Sequence, residues 1–111
     1  MCIRDSYKVA REVSLKKAER GVLICKTGIG LAMVANKLPR IRAAVCHDRK
    51  SAISSRAHND SNVLVFGALF IRENQAKKIL EIWLKTPSLG GRHKRRVKQI
   101  ETIENKLRIS K

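Results

Sequence analysis

Three short apolar runs, each followed by a turn and a stretch of helical periodicity, constrain this chain more than any other feature. They lie at 21–25 (GVLIC), 41–46 (IRAAVC, broken only by Arg42) and 62–66 (NVLVF). A strand with one solvated face alternates apolar and polar residues, whereas a continuous run signals burial on both faces, the habit of parallel sheets. Such strands alternating with helices predict an α/β fold, a parallel sheet flanked by helices on both faces.

The helices are read from the same pattern. Residues 7–20 carry Val9, Ala10, Val13, Leu15 and Ala18 among charges and predict a surface helix. Further helices are predicted at 31–37, ending near Pro39, at 49–58, and at 73–85, where Ala76, Ile79, Leu80, Ile82, Trp83 and Leu84 lie largely inward. The stretch 87–91 (PSLGG) breaks that helix. From Arg92, the residues Val97, Ile100, Ile103 and Leu107 predict a terminal basic helix over 92–111 with a narrow apolar stripe. Residues 1–6 (MCIRDS) show no pattern and are expected to be non-native or disordered. At 111 residues the chain is read as one domain, 1–111. With 43% apolar but 4% aromatic residues, its core is aliphatic and β-branched. Three strands make a thin sheet, so a partner subunit or a further segment is expected to complete it.

No apolar run approaches the ~20 residues that span a bilayer, and no secretory signal pattern opens the chain. A soluble, cytoplasmic protein with no membrane partner is expected. Three cysteines, with no CxxC, fit neither a disulfide framework nor a zinc site, so reduced thiols and no metal are expected. The formal charge of +16 arises from 25 Lys and Arg against 9 Asp and Glu. It predicts non-specific attraction to nucleic acid and other polyanions, or merely a solvated basic face. Much of the excess follows Lys85, but aromatic residues do not interleave with it as in a nucleic-acid surface.

Ligands of a parallel α/β sheet bind beyond the carboxyl ends of its strands. Cys25 ends the first apolar run, and Thr27, Gly28, Ile29 and Gly30 form the turn beyond it. Amides in such a turn can hold a developing oxyanion and favour a thiolate. Two readings stay open for Cys25: a core thiol beside an ordinary connection, or a nucleophile or base. The turn is not GxGxxG and lacks the downstream acid of a dinucleotide site. His58 and Asn59 lie just before the third strand, where a histidine is either structural or catalytic. His47 and Asp48 are a weaker polar pair, since helix capping accounts for Asp48 equally well. Arg92 and Arg96, four apart on one predicted helix, can clamp a phosphate between two guanidinium groups or simply be solvated.

CKTGIGLAMVANK (25–37), IRAAVCHD (41–48), SAISSRAHNDSNVLVFG (51–67) and GGRHKRRV (90–97) together resemble the type B ribose-5-phosphate isomerases and the related galactose-6-phosphate isomerases. The similarity covers about residues 7–104. It implies a Rossmann-like three-layer sandwich and a homodimer, or dimer of dimers, with active sites shared between subunits. The implied reaction interconverts aldose and ketose phosphates, such as ribose 5-phosphate and ribulose 5-phosphate, without metal or cofactor. By this resemblance Cys25 is the base that shuttles a proton through an enediolate. Thr27 and the amides of Gly28, Ile29 and Gly30 stabilise its oxygens, His58 opens the furanose ring, Asn59 contacts the sugar, and Arg92 and Arg96 grip the phosphate.

Three departures stand out. The family opens with a strand and an Asp-His loop that this chain lacks, so it is expected to be N-terminally truncated. Lys26 replaces a usual glycine: it strains a left-handed backbone and crowds the sugar, or it favours the Cys25 thiolate. Ala68, Leu69 and Phe70 stand where a further phosphate-side arginine is common, implying weaker phosphate affinity or another substrate. The alternatives are a polyanion-binding module on an isomerase-like scaffold, tested by salt dependence, and an inactive truncated isomerase.

Overall fold

The computed structural model describes residues 2–109. In chain order the elements are α1 (Cys2–Ser14), β1 (Gly21–Cys25), α2 (Ile29–Ala35), β2 (Ala43–Val45), α3 (Arg49–Asn59), β3 (Val63–Gly67), α4 (Glu73–Lys85) and α5 (Arg92–Ile109). All three strands are parallel, in the order β1-β3-β2. The register pairs Gly21 with Val63 through Cys25 with Gly67, and Ala43 with Val63 through Val45 with Val65. The α/β expectation therefore holds, with β3 at the centre and buried along its whole length.

Each face of β3 carries its own core. Leu23, Val63 and Val65 pack with Ala10 and Val13 of α1 and with Leu31 and Ala35 of α2. On the other face Leu64 and Phe66 meet Cys46, Ala52 of α3, and Ile79 and Trp83 of α4. Trp83 is fully buried, and its indole N–H donates to Ser61 Oγ at 2.8 Å. The Arg20 guanidinium lies 5.2 Å from its ring centroid, closing the loop after α1 onto α4.

The structure corrects three expectations. Residues 2–6 are not disordered: α1 starts at Cys2, and the buried Ser6 donates its hydroxyl to Leu31 O at 2.7 Å. Ser6, Ala10 and Val13 share the inner face, and a serine in the first of those positions hides the helical period. The second strand is shorter than 41–46. The Arg42 N–H donates to Asn62 Oδ1 at 2.8 Å in place of a ladder bond, and the Arg42 guanidinium turns to Asp60. Finally, among the described residues β1 is covered on one face only. Val22 is 38% and Ile24 64% exposed on the side that α3 and α4 leave bare.

In α5, Val97 is buried against the body, whereas Ile100, Ile103 and Leu107 are exposed. The helix is tied down by the Glu104 carboxylate, which accepts the Arg40 N–H, and by Glu101 beside Arg42. Among the described residues no helix is long and apolar enough to cross a membrane.

Candidate active site

Cys25 is the last residue of β1, half-buried at the carboxyl end of the sheet. Pairing continues past the strand ends, with Ala68 N–H donating to Cys25 O at 2.7 Å and Leu69 N–H to Lys26 O at 3.0 Å. This draws the turn after Cys25 onto the end of β3. Gly67 makes the approach possible, because a Cβ there would sit inside contact with Thr27 O and 2.7 Å from Thr27 C. The imidazole of His47 seals the junction from the other side. Its Nε2 accepts the Gly67 N–H at 3.2 Å, and its ring lies 5.1 Å from that of Phe70.

Gly28 caps α2 at φ 78°, and a Cβ there would lie 3.0 Å from Val65 Cγ1, so both conformation and space demand glycine. Thr27 Oγ1 accepts the Ile29 N–H at 3.3 Å. The Ile29 amide is thereby turned toward the threonine, and the threonine hydroxyl keeps its hydrogen for another acceptor. A Cβ on Gly30 would meet nothing within 4 Å, so this side of the turn is open. Lys26 is exposed and is not among the residues with positive φ, which excludes the left-handed strain weighed for it.

Cys46 is the contrasting thiol. It is buried beside Ser55, and burial pushes its pKa up, so it is an inert core residue. Asp48 acts as a cap: its Oδ1 accepts the Ser51 N–H at 2.7 Å at the start of α3.

The second cluster forms where α3 ends. Asp60, left-handed at φ 48°, stops the helix, and its carboxylate takes ion pairs from Arg56 at 2.7 Å and Arg42 at 3.3 Å. The Leu89 N–H donates to Ala57 O at 2.9 Å, which seats the N-terminus of α5 beside the last turn of α3. His58 and Asn59 are exposed there, and so are Arg92 and Arg96. The His58 ring stacks on that of His93, with centroids 4.3 Å apart and planes 8° apart. His93 is held below the ordinary imidazole pKa, first by burial and then by the positive charges of His58, Arg92 and Arg96. Asn59 borders a groove of about 920 Å³ shared with Arg42, Ser55 and the α5 residues Ile100 and Ile103.

Within one chain the two clusters stay apart. Cys25 adjoins Gly67 at the end of β3, and His58 precedes Val63 at its start. At about 3.3 Å per residue the strand alone separates them by roughly 13 Å, far beyond hydrogen-bond reach. The expected residues thus form a Cys25, Thr27, Gly28–Gly30 group and a His58, Asn59, Arg92, Arg96 group. His93 was missed as a partner of His58, since they lie 35 positions apart with a strand and a helix between them and no spacing rule links them. Among the described residues no group of three or more His, Cys, Asp or Glu side chains is placed to hold a metal.

Residues 4–100 match the ribose/galactose isomerase family. Ribose-5-phosphate isomerase B of Escherichia coli is 44% identical over 99 residues, which are 89% of this chain and 66% of that protein. D-erythrulose-4-phosphate isomerase of Pectobacterium atrosepticum is 40% identical over 100 residues, 90% of this chain and 66% of that protein. The solved structure of Clostridium thermocellum ribose-5-phosphate isomerase B superposes with a TM-score of 0.93 at 42% identity, covering 96% of this chain and 72% of that one. The chain therefore spans about two thirds of the length of these curated relatives. With the parallel β1-β3-β2 sheet, the cysteine turn and this match over most of its length, the chain belongs to the ribose/galactose isomerase family.

Proposed function

We propose that this chain is an aldose-ketose isomerase of phosphorylated sugars, with ribose 5-phosphate and ribulose 5-phosphate as its pair. The observation that carries the reading is the turn after β1. A half-buried thiol stands beside a threonine whose oxygen is already engaged by Ile29 and whose hydrogen is left to donate. Cys25, as thiolate, takes the proton from C2. The C–H electron pair becomes the C1–C2 double bond, and the carbonyl pair moves to O1. The Thr27 hydroxyl and the amides of Gly28 and Gly30, the Ile29 amide being engaged by Thr27, stabilise the enediolate oxygens, the O2 proton passes to O1, and the thiol returns its proton to C1. The substrate is oxidised at C2 and reduced at C1, so redox balance is internal.

A furanose must open first. His58 delivers a proton to O4 as the C1–O4 bond breaks, the O1 proton departs, and Asn59 holds the sugar. Arg92 and Arg96 bind the phosphate, whose binding energy aligns C1 and C2 with the base. The roughly 13 Å of strand between the clusters supports a homodimer in which one subunit supplies the cysteine turn and its partner the histidine and arginines.

Cys25→Ser is expected to abolish conversion of ribose 5-phosphate without changing the circular dichroism spectrum. His58→Ala is expected to lose activity through the other cluster. Mixing the two inactive variants under exchanging conditions is expected to restore about a quarter of wild-type activity, because half the dimers are mixed and each carries one intact site. Full activity in Cys25→Ser refutes the base assignment, and no recovery on mixing refutes the shared site.

A further inference from the structure

We propose that His93 is a positioning residue for sugar-ring opening: stacked face to face on His58, it fixes the plane in which His58 presents its proton to a cyclic substrate. The inference rests on the reading of His58 as the ring-opening group.

His58 lies exposed in the last turn of α3, and its ring makes no hydrogen bond among the described residues. Its orientation is set by the His93 ring, 4.3 Å away and nearly parallel, which α5 carries in through the Leu89 to Ala57 hydrogen bond. His93 keeps its place with a buried Nδ1 that has no partner, so what holds its ring is the stack on His58 and not a hydrogen bond of that nitrogen. The charged groups acting on His93 are His58 from α3 and Arg92 and Arg96 from its own helix, and all disfavour a proton on its ring. A neutral His93 can therefore stay stacked while His58 exchanges its proton, whereas two adjacent imidazolium rings would repel. Parallel rings do not converge their nitrogens on a point between them, so the pair is not arranged as metal ligands.

The test exploits a chemical difference between substrates. Ribose 5-phosphate is mostly cyclic, but a four-carbon aldose 4-phosphate has its O4 esterified and cannot close a furanose. The readout is the ratio of kcat/KM for ribose 5-phosphate to that for D-erythrose 4-phosphate. His93→Ala is expected to lower this ratio about 100-fold, the scale of a misplaced catalytic group. His93→Phe, which keeps a stacking ring, should restore most of it. A ratio unchanged in His93→Ala, or equally low in His93→Phe, overturns the proposal. His58→Ala checks the underlying reading: if it slows both substrates equally, His58 is not the ring-opening group, whatever His93 does. Independently of turnover, the His58 ring protons are expected upfield in the NMR spectrum from the His93 ring current and should move downfield in His93→Ala. Unmoved resonances would remove the stack, and with it the inference.

Discussion

Gly67→Ala tests how the cysteine turn is held. The new methyl would sit 2.7 Å from Thr27 C and 2.9 Å from Phe70 Cδ2. Phe70 is exposed and can swing away, but Thr27 is backbone, fixed by the bonds from Ala68 to Cys25 O and from Leu69 to Lys26 O. To regain ordinary contact the Thr27 backbone must retreat by about 0.7 Å, or the β3 end must slip from His47. Overpacking of this kind costs about 1–3 kcal/mol. For a domain of this size each kcal/mol lowers Tm by roughly 4–8 °C, so a drop of about 10 °C is expected in a thermal scan. The same shift moves Thr27 and Cys25 relative to a bound sugar, and a displacement near 1 Å can cost on the order of 100-fold in rate. Steady-state isomerase assays on the folded variant at 20 °C should show this as a fall in kcat. A variant with wild-type Tm and kcat would refute the claim that the Gly67 approach sets the turn.

Gly30→Ala is the converse case. Its Cβ meets no protein atom and favours α2, so Tm is expected to rise, by about 0.5–1 kcal/mol of stability, while kcat/KM falls if sugar occupies that open side. Removing the indole N–H with Trp83→Phe leaves Ser61 with one partner fewer in the core, and urea titration should give a loss of about 1–3 kcal/mol; no change would mean the 2.8 Å bond is inert. The Asp48 pKa is lowered, first by the Ser51 backbone N–H and then by its hydroxyl. Its stabilisation is thus present above the usual Asp value, near 4, and lost as pH falls through the lower native one. The Tm gap between wild type and Asp48→Ala should therefore narrow below about pH 4, and a gap constant from pH 7 to pH 3 would contradict the capping bond.

Most of the architecture was legible because the aliphatic runs at 21–25 and 62–66 coincide with strands and the periodic stretch at 73–85 with α4. What escaped did so for local reasons. Ser6 occupies a core position of α1 and satisfies its hydroxyl on Leu31 O, which no apolar count registers. Val22 and Ile24 read as buried because a continuous run cannot tell a covered face from a bare one. The cysteine turn was visible as a motif, yet the glycine that admits it, Gly67, lies just past the third apolar run, where nothing in the sequence ties it to Thr27. The separation of Cys25 from His58 was in principle deducible. One ends its strand and the other precedes a parallel one, so the two must lie at opposite ends of the sheet. The meeting of His58 with His93 was not deducible, since it depends on how α5 lands on α3.

The bare face of β1 bears on how the protein behaves in solution. Val22 and Ile24 offer a sticky patch beside a strand that pairs on one side only among the described residues. The charge of +16 keeps like molecules apart, but only over the Debye length, about 10 Å at 0.1 M salt and about 3 Å at 1 M. For a molecule made of the described residues alone, concentrated salt is therefore expected to bring copies together through that patch.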